Sequence, residues 1–146
     1  MEKYHIRVVD LATHRVSDLP GSMGLYAPRW SPDGRYIAAL THENRNLKVF
    51  DTIAQKWATV VENMYAYSPD WSRDSRWLYF ESGDSNDRFS IQRVARGGGK
   101  PELVAHLPGI NAAGWWGWFG LDAKENPVIM RDIGRHEIYA LTLESK

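Results

Sequence analysis

Residues able to do chemistry are few in this chain, and their spacing argues against each reaction they suggest. His136-Glu137-Ile138-Tyr139-Ala140 opens like a zinc-hydrolase motif but puts Ala where the second His must stand, in a strand-like segment. His42-Glu43-Asn44-Arg45-Asn46 fails in the same way. Gly97-Gly98-Gly99-Lys100 lacks both the earlier glycine and the hydroxyl residue of a phosphate-cradling loop, and it joins two strand-like segments. Gly21-Ser22-Met23-Gly24 has the wrong spacing for a nucleophile elbow. Asp84-Ser85-Asn86-Asp87 offers oxygen atoms to a calcium ion but lacks the glycine and distal glutamate of an EF-hand loop, so it reads as a solvated turn. The expectation is a chain with no catalytic residues, no metal and no cofactor.

The aromatic residues invite a ligand reading, because ring faces bind sugars and cations. Trp30, Trp71 and Trp77, however, recur at repeated positions, which predicts that they fill the space between packed sheets. Asp33 and Asp74 each precede a basic residue by two positions, Arg35 and Arg76, and are expected to serve as turn and inter-sheet hydrogen-bonding groups.

The elements that position these side chains follow from an internal repeat. Ala27-Pro28-Arg29-Trp30-Ser31-Pro32-Asp33-Gly34-Arg35-Tyr36-Ile37 returns as Ser68-Pro69-Asp70-Trp71-Ser72-Arg73-Asp74-Ser75-Arg76-Trp77-Leu78, with the tryptophans 41 residues apart. A period of that size, built from short alternating strands, indicates a β-propeller blade. Each unit divides into an inner strand ending at Trp, a Ser-x-Asp turn, a second strand, a polar loop, and two further strands. A decayed third copy places Leu121 in the Trp position and Val128 in the Ile37 position, with a third strand at His136 to Leu141. The fold expected is all-β: antiparallel four-stranded propeller blades, about three of them, in an incomplete ring. It divides into outer strands of a first blade (1–21), full blades at 27–62 and 68–108, and three strands of a last blade (115–144), 13 strands in all.

The Trp30-Ser31-Pro32-Asp33-Gly34 segment, followed by a basic residue and an apolar strand, resembles the TolB-like class of WD-like propeller repeats. The second copy replaces Pro with Arg73 and Gly with Ser75. The resemblance implies a non-catalytic module for protein–protein contact or sensing, such as the C-terminal propeller segment of a bacterial multidomain protein. Alternatively, it implies the accessory propeller of a prolyl-oligopeptidase-like serine peptidase, whose hydrolase domain this chain lacks. A lactonase-like metal propeller finds no ligand cluster here.

Composition bounds the partners. Lys plus Arg and Asp plus Glu are 18 each, which leaves no electrostatic footprint for nucleic acid. With no cysteine, disulfides and thiolate metal sites are excluded. That composition suits a periplasmic or a cytoplasmic setting, the first slightly favoured for a segment of a membrane-anchored parent. Met1 to His5 leads straight into a strand-like segment, with no signal-peptide pattern. The most apolar run, Ile110 to Leu121 with Trp115, Trp116 and Trp118, is 12 residues long, too short to span a bilayer.

Propellers close with four to eight blades, and four at this period need about 164 residues, more than the 146 present. Unpaired edges recruit partners. A head-to-tail dimer is therefore expected, each copy donating its Arg15 to Leu19 strand to the other's last blade to complete six blades. A binding face is expected where the loops entering inner strands meet those joining second to third strands. It would carry Tyr26, His42, Tyr65, Tyr67, Asp84, Arg88, Asn111, Arg131 and His136, together with Met23 and Asn44.

Overall fold

The computed structural model describes residues 4–83, 89–107 and 119–130. Twelve strands and no helix are found among them, running β1 (Arg7–Val9), β2 (Val16–Asp18), β3 (Leu25–Trp30), β4 (Tyr36–Thr41), β5 (Leu47–Asp51), β6 (Lys56–Val61), β7 (Tyr67–Trp71), β8 (Trp77–Gly83), β9 (Phe89–Ala95), β10 (Glu102–Leu107), β11 (Phe119–Leu121) and β12 (Pro127–Ile129). They form two four-stranded antiparallel meanders, β3-β4-β5-β6 and β7-β8-β9-β10, flanked by two-stranded sheets β1-β2 and β11-β12. The result is an open array of propeller blades. The expected third strand at 136–141 lies outside the described residues.

Each inner strand carries the same irregularity. The register of β3 on β4 shifts between Tyr26 and Arg29, and that of β7 on β8 between Tyr67 and Asp70. Ala27 and Ser68 stand there at φ 50° and 47°. Both precede a proline, which cannot donate to the ladder, so the bulge falls where a ladder bond is missing anyway.

The turn after each inner strand repeats its backbone bonds. The N–H groups of Gly34, Ser75 and Glu125 donate to the carbonyls of Ser31, Ser72 and Asp122 at 2.9, 2.9 and 3.0 Å. All three donors have positive φ. The third turn is one residue shorter: Asp122 N–H donates to Asn126 O, whereas Ser31 and Ser72 reach to Tyr36 and Trp77, five residues on. Leu121 accordingly pairs with Pro127, as Trp30 pairs with Ile37. Pro127, not Val128, therefore occupies the Ile37 position, a correction that follows from the loss of the residue after the left-handed one.

Period-two alternation sends successive side chains into successive junctions. Ile37, Ala39 and Phe50 pack with Ile6 and Leu19, which flank β1 and β2. Ala38, Leu40 and Val49 face the other way and pack with Trp71, Leu78, Phe80 and Val94. Tyr79 and Ile91 in turn meet Phe119, Leu121 and Ile129. Polar groups tie the same junctions: Asp33 N–H donates to Ser75 Oγ at 3.1 Å, Trp71 Nε1–H to Arg29 O at 3.0 Å, and Leu121 N–H to Asp70 Oδ2 at 3.1 Å.

Trp71 fills a junction and Trp77 packs half-buried at the next one. Trp30 does not: it is 51% exposed, because β1 and β2 correspond to the outer strands of a blade and leave its inner end uncovered. Asp33 joins blades as expected through its N–H and through Arg96, 3.9 Å away. The carboxylates of both also serve their own turns, that of Asp74 accepting from Ser72 Oγ at 2.6 Å and Arg76 N–H at 3.0 Å.

Candidate interaction face

The loops entering β3 and β7 lie on the same side of the array as the β4–β5 loop. Backbone bonds fuse two of them. Ala66 N–H donates to Asn44 O at 2.9 Å, Met64 N–H to Arg45 O at 3.0 Å, and Asn63 N–H to Asn46 Oδ1 at 3.1 Å. Asn44 holds the left-handed conformation that such a tight loop requires, φ 56°, which an Asn tolerates. Its side-chain carbonyl accepts the Tyr26 hydroxyl. Tyr65 and Tyr67 stack with centroids 6.2 Å apart and planes within 6°, and the Arg45 guanidinium lies 4.7 Å from the Tyr65 ring centroid. A ladder of cation and aromatic rings results, held by loops anchored on rigid strands.

Burial raises the Tyr26 phenol, partly offset by its bond to Asn44, and the nearby Tyr67 raises it further. Burial, then Tyr65, raises Tyr67. Both remain hydroxyl donors at neutral pH. Glu81, opposite Tyr67 in the β7-β8 pair, is also raised by burial, against the lowering effect of Ser68. Beside this ladder runs an open groove of about 740 Å³ lined by Arg45, Met64, Tyr65, Phe89, Gln92 and His106 among others. Its chemistry is mixed: apolar and aromatic walls, amide and hydroxyl groups, and a cation.

Of the residues expected on this face, Tyr26, Tyr65 and Tyr67 are brought together. His42 lies nearer the N-terminal segment, stacked on Tyr4 at 5.3 Å. Asp84, Arg88, Asn111, Arg131 and His136 lie outside the described residues, as do Trp115, Trp116 and Trp118. Arg45, which sequence reasoning passed over as one polar loop residue among several, is the cation of the ladder. Nothing in its local sequence marks it, since its partner Tyr65 belongs to the next blade. Among the described residues no group of three His, Asp or Glu side chains could hold a metal ion, and no helix is long and apolar enough to cross a membrane.

No protein-family model matches the sequence, and no curated protein matches it. Solved structures do. The chain is similar to TolB from Acinetobacter baumannii at 16% identity and TM-score 0.63, covering 84% of this chain and 30% of that one. It is similar to an oligogalacturonate lyase in complex with manganese at 16% identity and TM-score 0.58, covering 70% and 33%. A dihydro-heme d1 dehydrogenase matches at 19% identity and TM-score 0.56, covering 87% and 28%. The chain thus spans about a third of the length of these three structures. What they share with it is the fold, and the chain has that of a β-propeller, present as an open array of blades.

Proposed function

We propose that this chain is a non-catalytic propeller module that binds a protein partner through the Tyr26–Tyr65–Tyr67–Arg45 face. One observation carries the reading: Arg45, Tyr65 and Tyr67 stack as a ladder beside a groove, with Tyr26 tied to the same loop through Asn44, and Tyr and Arg are the usual anchors of protein interfaces. The Tyr65 and Tyr67 phenols suit backbone carbonyls or carboxylates of a partner, and the ring faces suit its apolar side chains. Neutral overall charge gives such a face no long-range pull on polyanions.

The test is a paired Tyr26→Ala, Tyr67→Ala variant, immobilised beside the parent chain and exposed to the same bacterial lysate. Its circular dichroism spectrum should match the parent's, since both side chains sit at strand entrances. The proteins the parent retains should bind at least about tenfold more weakly. Unchanged retention removes this face from consideration.

A further inference from the structure

Among the described residues four guanidiniums lie over ring faces, which allows a comparison within one chain. Arg35 lies 5.0 Å and Arg96 4.2 Å from the Tyr36 ring centroid, Arg93 4.4 Å from that of Trp77, and Arg45 4.7 Å from that of Tyr65. Three of the four also meet a carboxylate: Arg35 with Asp51 at 2.8 Å, Arg93 with Glu102 at 2.8 Å, and Arg96 with Asp33 at 3.9 Å. Those pairs tie strands and turns within a blade or between blades. Arg45 stands on the loop face, and its guanidinium has no carboxylate and no hydrogen-bond acceptor from the described residues. The chain completes three of these stacks and leaves the fourth open.

The open one is held in place. The Arg45 carbonyl accepts Met64 N–H at 3.0 Å, and on either side Asn44 O and Asn46 Oδ1 accept from Ala66 and Asn63 at 2.9 and 3.1 Å. The ring beneath the guanidinium, Tyr65, is itself stacked on Tyr67. An arginine held this way has little freedom left to lose when its N–H groups are engaged, which favours binding. A guanidinium over a ring still offers an N–H edge, and a carboxylate meets that edge with two parallel bonds. The adjoining groove has the same sign. Of its described lining residues Arg45 and His106 are basic and none is acidic, while Met64 and Phe89 supply apolar wall and Asn63 and Gln92 supply amides.

We infer that the partner docks here with an acidic peptide segment, an aspartate or glutamate carboxylate seated on the Arg45 guanidinium and a neighbouring apolar side chain in the groove against Met64. This rests on the reading of the Tyr–Arg face as a protein-binding surface and names the chemistry that the face recognises. A nucleic-acid backbone suits it less: a strand of phosphates is tracked by a row of cations, whereas the ladder offers a single guanidinium on a chain of zero net charge.

The test is the fluorescence anisotropy of a labelled peptide of four Asp-Glu-Leu repeats, titrated with the full chain. Binding should saturate and should weaken as salt is raised. A peptide of four Asn-Gln-Leu repeats should bind at least about tenfold more weakly. Arg45→Gln changes an exposed side chain with no ion pair of its own among the described residues, so it should keep the parent melting temperature and lower the affinity for the acidic peptide at least about fivefold. No saturable binding, no preference over the neutral peptide, or equal affinity of parent and Arg45→Gln would each overturn the inference. If the Tyr26→Ala, Tyr67→Ala variant still loses its lysate proteins in those cases, the protein-binding reading stands and only the acidic segment falls. An oligodeoxythymidine that binds more tightly than the acidic peptide, and is released by Arg45→Gln, would overturn it as well by assigning the guanidinium to a phosphate.

Discussion

Trp71 buries its ring against the preceding blade and gives its N–H to the Arg29 carbonyl, so both the apolar body and the polar tip of the indole are satisfied. Trp71→Ala should therefore cost about 3–5 kcal/mol, the range for emptying a buried aromatic site. Trp71→Phe keeps much of the area but leaves a carbonyl without its donor, adding about 1–2 kcal/mol to a smaller packing loss. Trp30→Ala removes a ring that touches little within one chain. Under dilution that keeps the chain single, its effect should stay within about 0.5 kcal/mol. Urea unfolding midpoints of the three variants check the order. Equal losses at Trp30 and Trp71 would mean that the two repeat positions share one environment, contrary to their exposure.

The turns couple sequence to stability through their aspartates. Bonds donated by Ser31, Ser72 and Asn126 hold the Asp33, Asp74 and Asp122 carboxyls below the ordinary range, and bonds from Thr13 do so for Asp10. Asp51, bonded by the Arg35 guanidinium at 2.8 Å, falls to about 2. A carboxyl lowered in the folded state stabilises the fold above its unfolded value and loses that contribution as pH falls through the folded one. The melting temperature should consequently hold down to pH near 3.8, the ordinary aspartate value, and drop from there toward pH 2. Asp51→Asn should flatten that descent, a change that melts followed by circular dichroism would register. The Ser-x-Asp turns that hold Asp33 and Asp74 were legible in the sequence, because their residue types specify their own hydrogen bonds. The shortened third turn was not. Leu121 and Pro127 carry no turn signal between them strong enough to fix the register, and only cross-strand pairing settles it. The Arg45–Tyr65 contact was equally hidden, since it joins loops of adjacent blades and no local pattern encodes it.

At the level of the whole molecule, blades touch only their neighbours in the array, so stability resembles a sum of blade and junction contributions. β4 and β8 lie between packed sheets on both faces, β4 almost wholly and β8 largely buried, whereas β1 and β2 are mostly exposed. Local opening should follow that gradient. In dilute solution the amides of β1, β2, β11 and β12 should exchange with deuterium first, and those of β4 and β8 last. Exchange followed strand by strand separates these outcomes, and uniform protection along the array would contradict the nearest-neighbour picture.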